Sequence, residues 1–357
     1  MPEFHKHPRG EIRGQRRIMR IFHFVLLLTL CSATAAFAED QCPPLKLVTR
    51  LDMTMGQDGR PYIPVKINGT PETMLIDTGG VFTEIPESVR DALQLEKRNV
   101  PVEMVGVTGS TTHIAARGSF GLGNLTVDKT DFMVMPDTKD AGDGASGIFA
   151  PNFLHAYDAD FDFGGKTFSL ISQDHCDGKV VYWPAQSVAV VPMRVDKVGH
   201  IHLTVTVEGK QMSAMLDTGA SNTFADLSDV VTRFGLTAGA ADTPYGGELG
   251  PTHAAYYSHH FKSLSLEGIA ISNANVKLIP DLMRRSTTER SSTLEGGSRI
   301  PDRDLELGLS EITLGMDILR HFHLYIAYKE QKLYITPATA PTPASSAAAE
   351  ATGQAVH

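Results

Sequence analysis

Cysteine is scarce in this chain, with three residues among 357. The body of the chain has no run of Lys and Arg, and the formal charge is -9, which argues against a nucleic-acid-binding surface. The apolar run from Ile21 to Leu30 is too short to span a bilayer comfortably. No Gly-x-Ser-x-Gly nucleophile signature occurs, and Gly144-Ala145-Ser146-Gly147 reads as a loop. His259-His260 and the pair His321 and His323 have no third ligand at tight spacing, so no metal site is expected. Asp158, Asp160 and Asp162 alternate as in a strand, which predicts one solvated face rather than a calcium loop.

What is present begins with a leader. Lys6, Arg9, Arg13, Arg16, Arg17 and Arg20 precede the apolar run, and small residues ending Ala36-Phe37-Ala38 follow it. This order predicts a signal peptide over 1–38 and export to a periplasm or the outside, with no stable membrane anchor. Removing its six basic and two acidic residues from totals of 32 and 41 leaves a charge of -13. Such a protein is expected to be soluble and indifferent to anionic lipid. Cys42 and Cys176 remain and bracket one stretch of chain; an exported protein can oxidise them to a disulfide, the alternative being two buried or free thiols.

The most informative pattern is a duplication. Val65-Lys66-Ile67-Asn68-Gly69 leads to Met74-Leu75-Ile76-Asp77-Thr78-Gly79, and Val205-Thr206-Val207-Glu208-Gly209 leads to Ala214-Met215-Leu216-Asp217-Thr218-Gly219. Thr112-His113 and Thr252-His253 follow at matching distances, and Ile148-Phe149-Ala150-Pro151-Asn152-Phe153-Leu154 matches Thr313-Leu314-Gly315-Met316-Asp317-Ile318-Leu319. A repeat this long is no solenoid unit. It predicts two homologous lobes, 39–180 and 181–335. Residues 282–312 read as a charged surface insertion and 336–357 as a disordered Ala/Pro/Thr tail.

Within each lobe strands dominate. They are expected at 102–107, 112–116, 122–127 and 132–135, with a hairpin turn at Gly209-Lys210. Pro86 opens a short helix carrying Val89, Leu93 and Leu95. Asp226 caps a second that Gly235 ends.

Each Asp-Thr-Gly follows a short apolar strand. Thr78 and Thr218 can hold the turns by hydrogen bonds, and Gly79 and Gly219 let two such turns approach. Two carboxylates at close range share one proton, so the charged one can take a proton from water while the other polarises a carbonyl. On these motifs, with Gly80, Ala220-Ser221 and Thr313-Leu314-Gly315 beside them, the chain resembles the retropepsin-like aspartic proteases in a fused, single-chain form, over roughly residues 47 to 335.

The resemblance implies a mostly β acid-protease fold, Asp77 and Asp217 as a catalytic dyad, and a flap hairpin closing over an extended polypeptide. The flap candidates are Gly106, Val107, Thr108 and Gly109 in one lobe and Gly246, Gly247 and Glu248 in the other. It also implies an aspartic endopeptidase that works as a monomer without cofactor. The alternative is an inactive relative that binds peptides in the same cleft. Two departures stand out: Gly80 where Ala or Ser is usual, and Ala150 where Gly is usual, expected to loosen local packing.

Overall fold

A run such as Pro61–Ile67 buries Ile63, Val65 and Ile67 and exposes Pro64 and Lys66, the period of a strand with one face on a core. Asn68-Gly69 then turns the chain with φ of 48° and 80°, and Glu208-Gly209 does so with 45° and 80°. Both are two-residue turns needing left-handed backbone at each position, the geometry that matches strand twist. The second turn therefore sits one residue earlier than the Gly209-Lys210 expected, and Lys210 already belongs to the next strand.

The computed structural model describes residues 42–105, 111–137, 144–249, 254–280 and 310–338. The expected signal peptide lies outside them. Chain order in the first half is β1 (Leu47–Asp52), β2 (Thr54–Met55), β3 (Pro61–Ile67), β4 (Thr70–Ile76), β5 (Glu84–Pro86), α1 (Glu87–Ala92), β6 (Glu96–Val105), β7 (Thr111–Leu122), β8 (Leu125–Met135), β9 (Ile148–Phe149), α2 (Pro151–Leu154), β10 (Asp158–Asp162) and β11 (Thr167–Ile171). The second half repeats it: β12 (Ala189–Pro192), β13 (Arg194–Val195), β14 (Ile201–Val207), β15 (Lys210–Leu216), β16 (Phe224–Asp226), α3 (Leu227–Phe234), β17 (Tyr245–Leu249), β18 (Ala254–Leu266), β19 (Ile269–Ile279), β20 (Ile312–Leu314), α4 (Met316–Leu319), β21 (Phe322–Ala327) and β22 (Lys332–Pro337).

The duplication in sequence is also one in topology. One eight-stranded sheet runs β2-β3-β4-β9-β5-β8-β7-β6 and the other β13-β14-β15-β20-β16-β19-β18-β17. Each curls back on itself through a further pairing, β3 with β7 and β14 with β18. A six-stranded sheet, β1-β11-β10-β21-β22-β12, joins the halves, with β10 and β21 antiparallel at its centre. Because β1 pairs with β11, the segments just outside them meet, and Cys42 and Cys176 come together as a disulfide with Cα atoms 5.0 Å apart. The mostly β, two-lobed architecture expected from the sequence is what the chain adopts.

The main apolar core runs through both halves and includes Ile63, Phe120, Phe132, Phe149, Phe161 and Phe168 in the first and Leu216, Phe261, Leu278 and Leu314 in the second, with smaller clusters around Tyr325 and Tyr62 beside it. Asp226 caps α3 by accepting from the amides of Ser228 and Asp229, and Gly235 ends it at φ 68°.

Other expectations need correction. The strand placed at 122–127 is broken by a turn at Gly123, φ 56°, so Leu122 ends one strand and Leu125 opens the next. The tail starts later than 336: Thr336 is buried in β22, and the Ala338 amide donates to the His321 carbonyl at 2.8 Å. The insertion ends sooner than 312, because Ile312 already pairs with Ala214 in a parallel ladder; residues 281–309 lie outside the described residues.

The largest correction concerns Asp158 and Asp160, which are 0% and 2% exposed rather than on a solvated face. Their strand lies inside the six-stranded sheet, where both faces are covered. Asp158 accepts from His175 Nε2 at 2.6 Å, the Tyr325 hydroxyl at 3.2 Å and the Tyr328 amide at 3.0 Å. Asp160 is held by His323 Nε2 at 2.6 Å and by the Tyr182 hydroxyl, while Asp162 is half-buried and caps Gly165. Burial raises the Asp158 carboxyl above its usual range despite these bonds.

Candidate active site

β4 ends at Ile76 and is pinned from the side by β9, with the Asp77 amide donating to the Phe149 carbonyl at 3.0 Å. In the other half β15 and β20 do the same, and the Asp217 amide donates to the Leu314 carbonyl at 3.0 Å. Each Asp is thus delivered at the end of a strand locked on both sides. The turns then grip each other. The Thr78 amide donates to Thr218 Oγ1 at 3.1 Å and the Thr218 amide to Thr78 Oγ1 at 3.0 Å. The Thr78 hydroxyl donates to the Leu216 carbonyl at 2.9 Å and the Thr218 hydroxyl to the Ile76 carbonyl at 2.7 Å. All four bonds cross between halves, and both threonines are fully buried.

The glycines are set by the same approach. A Cβ on Gly79 would lie 2.4 Å from Asp217 Cγ, and one on Gly219 would lie 2.3 Å from Asp77 Cγ. No side chain fits at either position. Each carboxylate has one oxygen already engaged. Asp77 Oδ1 accepts from the Gly79 and Gly80 amides at 2.8 and 2.9 Å, and Asp217 Oδ1 from the Gly219 and Ala220 amides at 2.8 and 3.1 Å. Crowding by protein atoms, then the Asp77 charge and a hydrogen bond between the two carboxyls, push Asp217 well above the usual carboxylate range. The amides of Gly219 and Ala220 pull the other way and lose. Asp77, Asp217, Thr78, Gly79, Thr218 and Gly219 are therefore all in one place.

The two departures from the expected pattern lie side by side. A Cβ on Gly315 would strike the Asn222 backbone at 2.4 Å, so the second half needs glycine there and carries its methyl on Ala220. The first half has the methyl on Ala150 and none at Gly80, where a Cβ would be 3.5 Å from the Ala150 Cβ. Ala150 is fully buried and its amide donates to Thr83 Oγ1 at 3.2 Å, as Gly315 does to Thr223 Oγ1 at 3.1 Å. Local packing is not loosened.

The sequence motifs did not single out what braces these loops. Thr83 donates through amide and hydroxyl to Asn152 Oδ1, both at 2.8 Å, and Thr223 does so to Asp317 Oδ1 at 2.8 and 2.7 Å. The signal was there in the matched repeat positions. Phe82, 40% exposed beside the first loop, is an apolar surface that no motif marked.

Of the flap candidates, Gly106, Val107, Thr108 and Gly109 lie outside the described residues, as does Thr252-His253. Gly246, Gly247 and Glu248 lie on β17, and the Tyr256 ring packs where a Gly246 side chain would be. Thr112 and His113 are the second and third residues of β7. His259 is buried against Phe261 and bonded to the Asp242 carbonyl, and His323 is bound to Asp160, so neither stands in a ligand cluster with its sequence neighbour.

A profile described as aspartyl protease matches residues 63–149 and 203–318, the two segments that hold the paired loops. The chain belongs to the aspartyl protease family. Among solved structures it is similar to basic 7S globulin from soybean, at 11% identity and a TM-score of 0.46, over 83% of this chain and 95% of that one. No curated protein matches the chain in sequence.

Proposed function

We infer that the protein is an aspartic endopeptidase that hydrolyses peptide bonds with a water activated between Asp77 and Asp217. The observation that carries this is the paired carboxyl groups, one of them with its affinity for a proton raised by burial and by the other's charge. One proton is shared. The ionised member takes a proton from water, the protonated member donates to the scissile carbonyl, and the roles reverse as the amine leaves. The two apparent pKa values belong to the pair. Oδ1 of each residue is occupied by amides, which leaves the other oxygen of each for this exchange.

The substrate is a polypeptide lying extended between the dyad and one or both hairpins, held partly by main-chain hydrogen bonds. Thr78, Gly79, Thr218 and Gly219 shape the loops and do not touch the reacting atoms. The protein acts as an exported monomer in a periplasm or outside the cell; no helix among the described residues is long and apolar enough to cross a membrane.

The test is cleavage of an unfolded polypeptide across pH by the full chain and by Asp77→Asn and Asp217→Asn. The expected result is a bell-shaped profile for the parent and loss of turnover by at least about a thousandfold in each variant. Near-full activity in either variant overturns the mechanism. Absence of turnover at every pH in the parent, with peptide still bound, would leave a peptide-binding member of the family instead.

A further inference from the structure

Asp196, His200 and His202 bring one carboxylate oxygen and two ring nitrogens within 4.8 Å of one another. We propose that this trio is a binding site for a zinc-like divalent cation, set behind the first catalytic loop. The inference is independent of whether the protein cuts peptides.

The ligand atoms and their supports divide cleanly. Asp196 Oδ1 is fixed by the amides of Val198 and His200 at 3.0 and 2.9 Å, which orients Oδ2. Oδ2 lies 3.3 Å from His200 Nδ1 and 3.0 Å from His202 Nε2. Zinc ligands at about 2.0–2.2 Å and tetrahedral angles stand about 3.4 Å apart, so the carboxylate oxygen need draw back from the two nitrogens by only a few tenths of an ångström to admit the ion. A ligating histidine normally donates its other N–H to a fixed oxygen. His200 Nε2 faces the Gly80 carbonyl at 3.0 Å, and His202 Nδ1 faces the Ser310 hydroxyl at 2.9 Å. Both supports are in place, and both imidazoles are buried.

The hydrogen bonds also ask for a cation. Both nitrogens of His200 face oxygen acceptors, yet a neutral imidazole has one N–H. With Nε2–H donated to Gly80, Nδ1 turns its lone pair toward Asp196 Oδ2 at 3.3 Å, a pair of electron donors that a cation between them would satisfy. The matched place in the first half shows what a filled site looks like without metal. There Asp58 accepts from Arg60 Nε at 2.5 Å and from the Tyr62 hydroxyl at 3.0 Å, and the positive charge is covalent. The second half puts His200 where Arg60 stands and His202 where Tyr62 stands, with Asp196 two residues ahead of the position that matches Asp58, so two imidazoles replace a guanidinium and a phenol. Two histidines and one carboxylate suit zinc and its first-row neighbours rather than calcium or magnesium. A surface cavity of about 420 Å³ lined by Arg194, His202 and Ser310 gives an ion access. This trio was not among the ligands considered from the sequence, because the expectation of no metal rested on other histidine pairs.

The test uses the full chain freed of metal with a chelator and titrated with Co2+, then displaced by Zn2+. One equivalent of Co2+ with visible ligand-field absorption is expected in the parent, together with a rise in Tm on adding Zn2+. His202→Gln and Asp196→Asn should each weaken binding at least tenfold, and Ser310→Ala, which leaves all three ligands, should weaken it several-fold. His260→Gln, on an exposed histidine elsewhere, should leave it unchanged. Absence of saturable one-equivalent binding, or affinity unchanged in both His202→Gln and Asp196→Asn, overturns the proposal and leaves a proton in the cation's place.

Discussion

The crossed threonines make a prediction whose size follows from counting buried groups. Thr218→Val keeps shape and volume but removes the hydroxyl, leaving the Thr78 amide and the Ile76 carbonyl without their partner. Each buried group so stranded costs about 1–3 kcal/mol, and together about 2–6 kcal/mol, against a typical total of about 5–15 kcal/mol. For the roughly 250 described residues this lowers Tm by roughly 4–11 °C. Thr218→Ser keeps the hydroxyl and loses one methyl, so it should cost under about 1.5 kcal/mol. Thr78→Val removes a different pair of bonds, to Leu216 and Thr218. No bond is counted twice, but the turns are held by one shared geometry, so the double variant should lose less than the sum of the single losses. Denaturant and thermal melts of the parent and the four variants, with peptide cleavage alongside, measure this. A loss below about 0.5 kcal/mol for Thr218→Val, or equal damage from Ser and Val, would show that the four bonds do not hold the loops together.

Two further outcomes can be checked by similar means. The raised Asp217 carboxyl keeps a proton in the fold that the unfolded chain gives up near pH 3.9, so stability falls as pH rises from there through the folded-state value. Asp217→Asn should therefore have a higher Tm than the parent near neutral pH, with the gap closing as pH drops toward about 4; a gap that widens on acidification would refute the sign. Reducing the Cys42–Cys176 bond, which spans a sequence separation of 134, should cost at most about 5 kcal/mol by the chain-entropy account, read as a lower Tm in reductant that a Cys42→Ser, Cys176→Ser double variant reproduces without it.

The dyad and its threonines and glycines were legible because they are short local words spoken twice, and repetition marks them off from ordinary turns. That the two halves share one set of elements followed from the same duplication; the order of strands within each sheet did not. The Asp158 and Asp160 environment was not legible: alternation reports the period of a strand, not whether a second layer covers its polar side, and here His175, Tyr325 and His323 cover it. The limits of insertion and tail were blurred because Ser310, Glu311, Thr336 and Pro337 are compositionally like their surroundings; Ser310 and Glu311 find partners about a hundred residues away, and Thr336 and Pro337 find theirs in the preceding strand. The Asp196 trio was missed because its counterpart in the first half is built from different residue types, so comparing the repeats concealed it.

The shared sheet has a consequence for how such a molecule can be divided. Strands β10 and β21 are neighbours at its midline, one from each half, and each contributes to the other's hydrogen-bond ladder. Severing the connection near residue 185 would leave two fragments, each with a raw interior edge whose natural mate is the other fragment. Mixed in solution, they should re-form the parent in preference to persisting apart, with Asp160 and His323 finding each other across the seam as a built-in test of correct pairing.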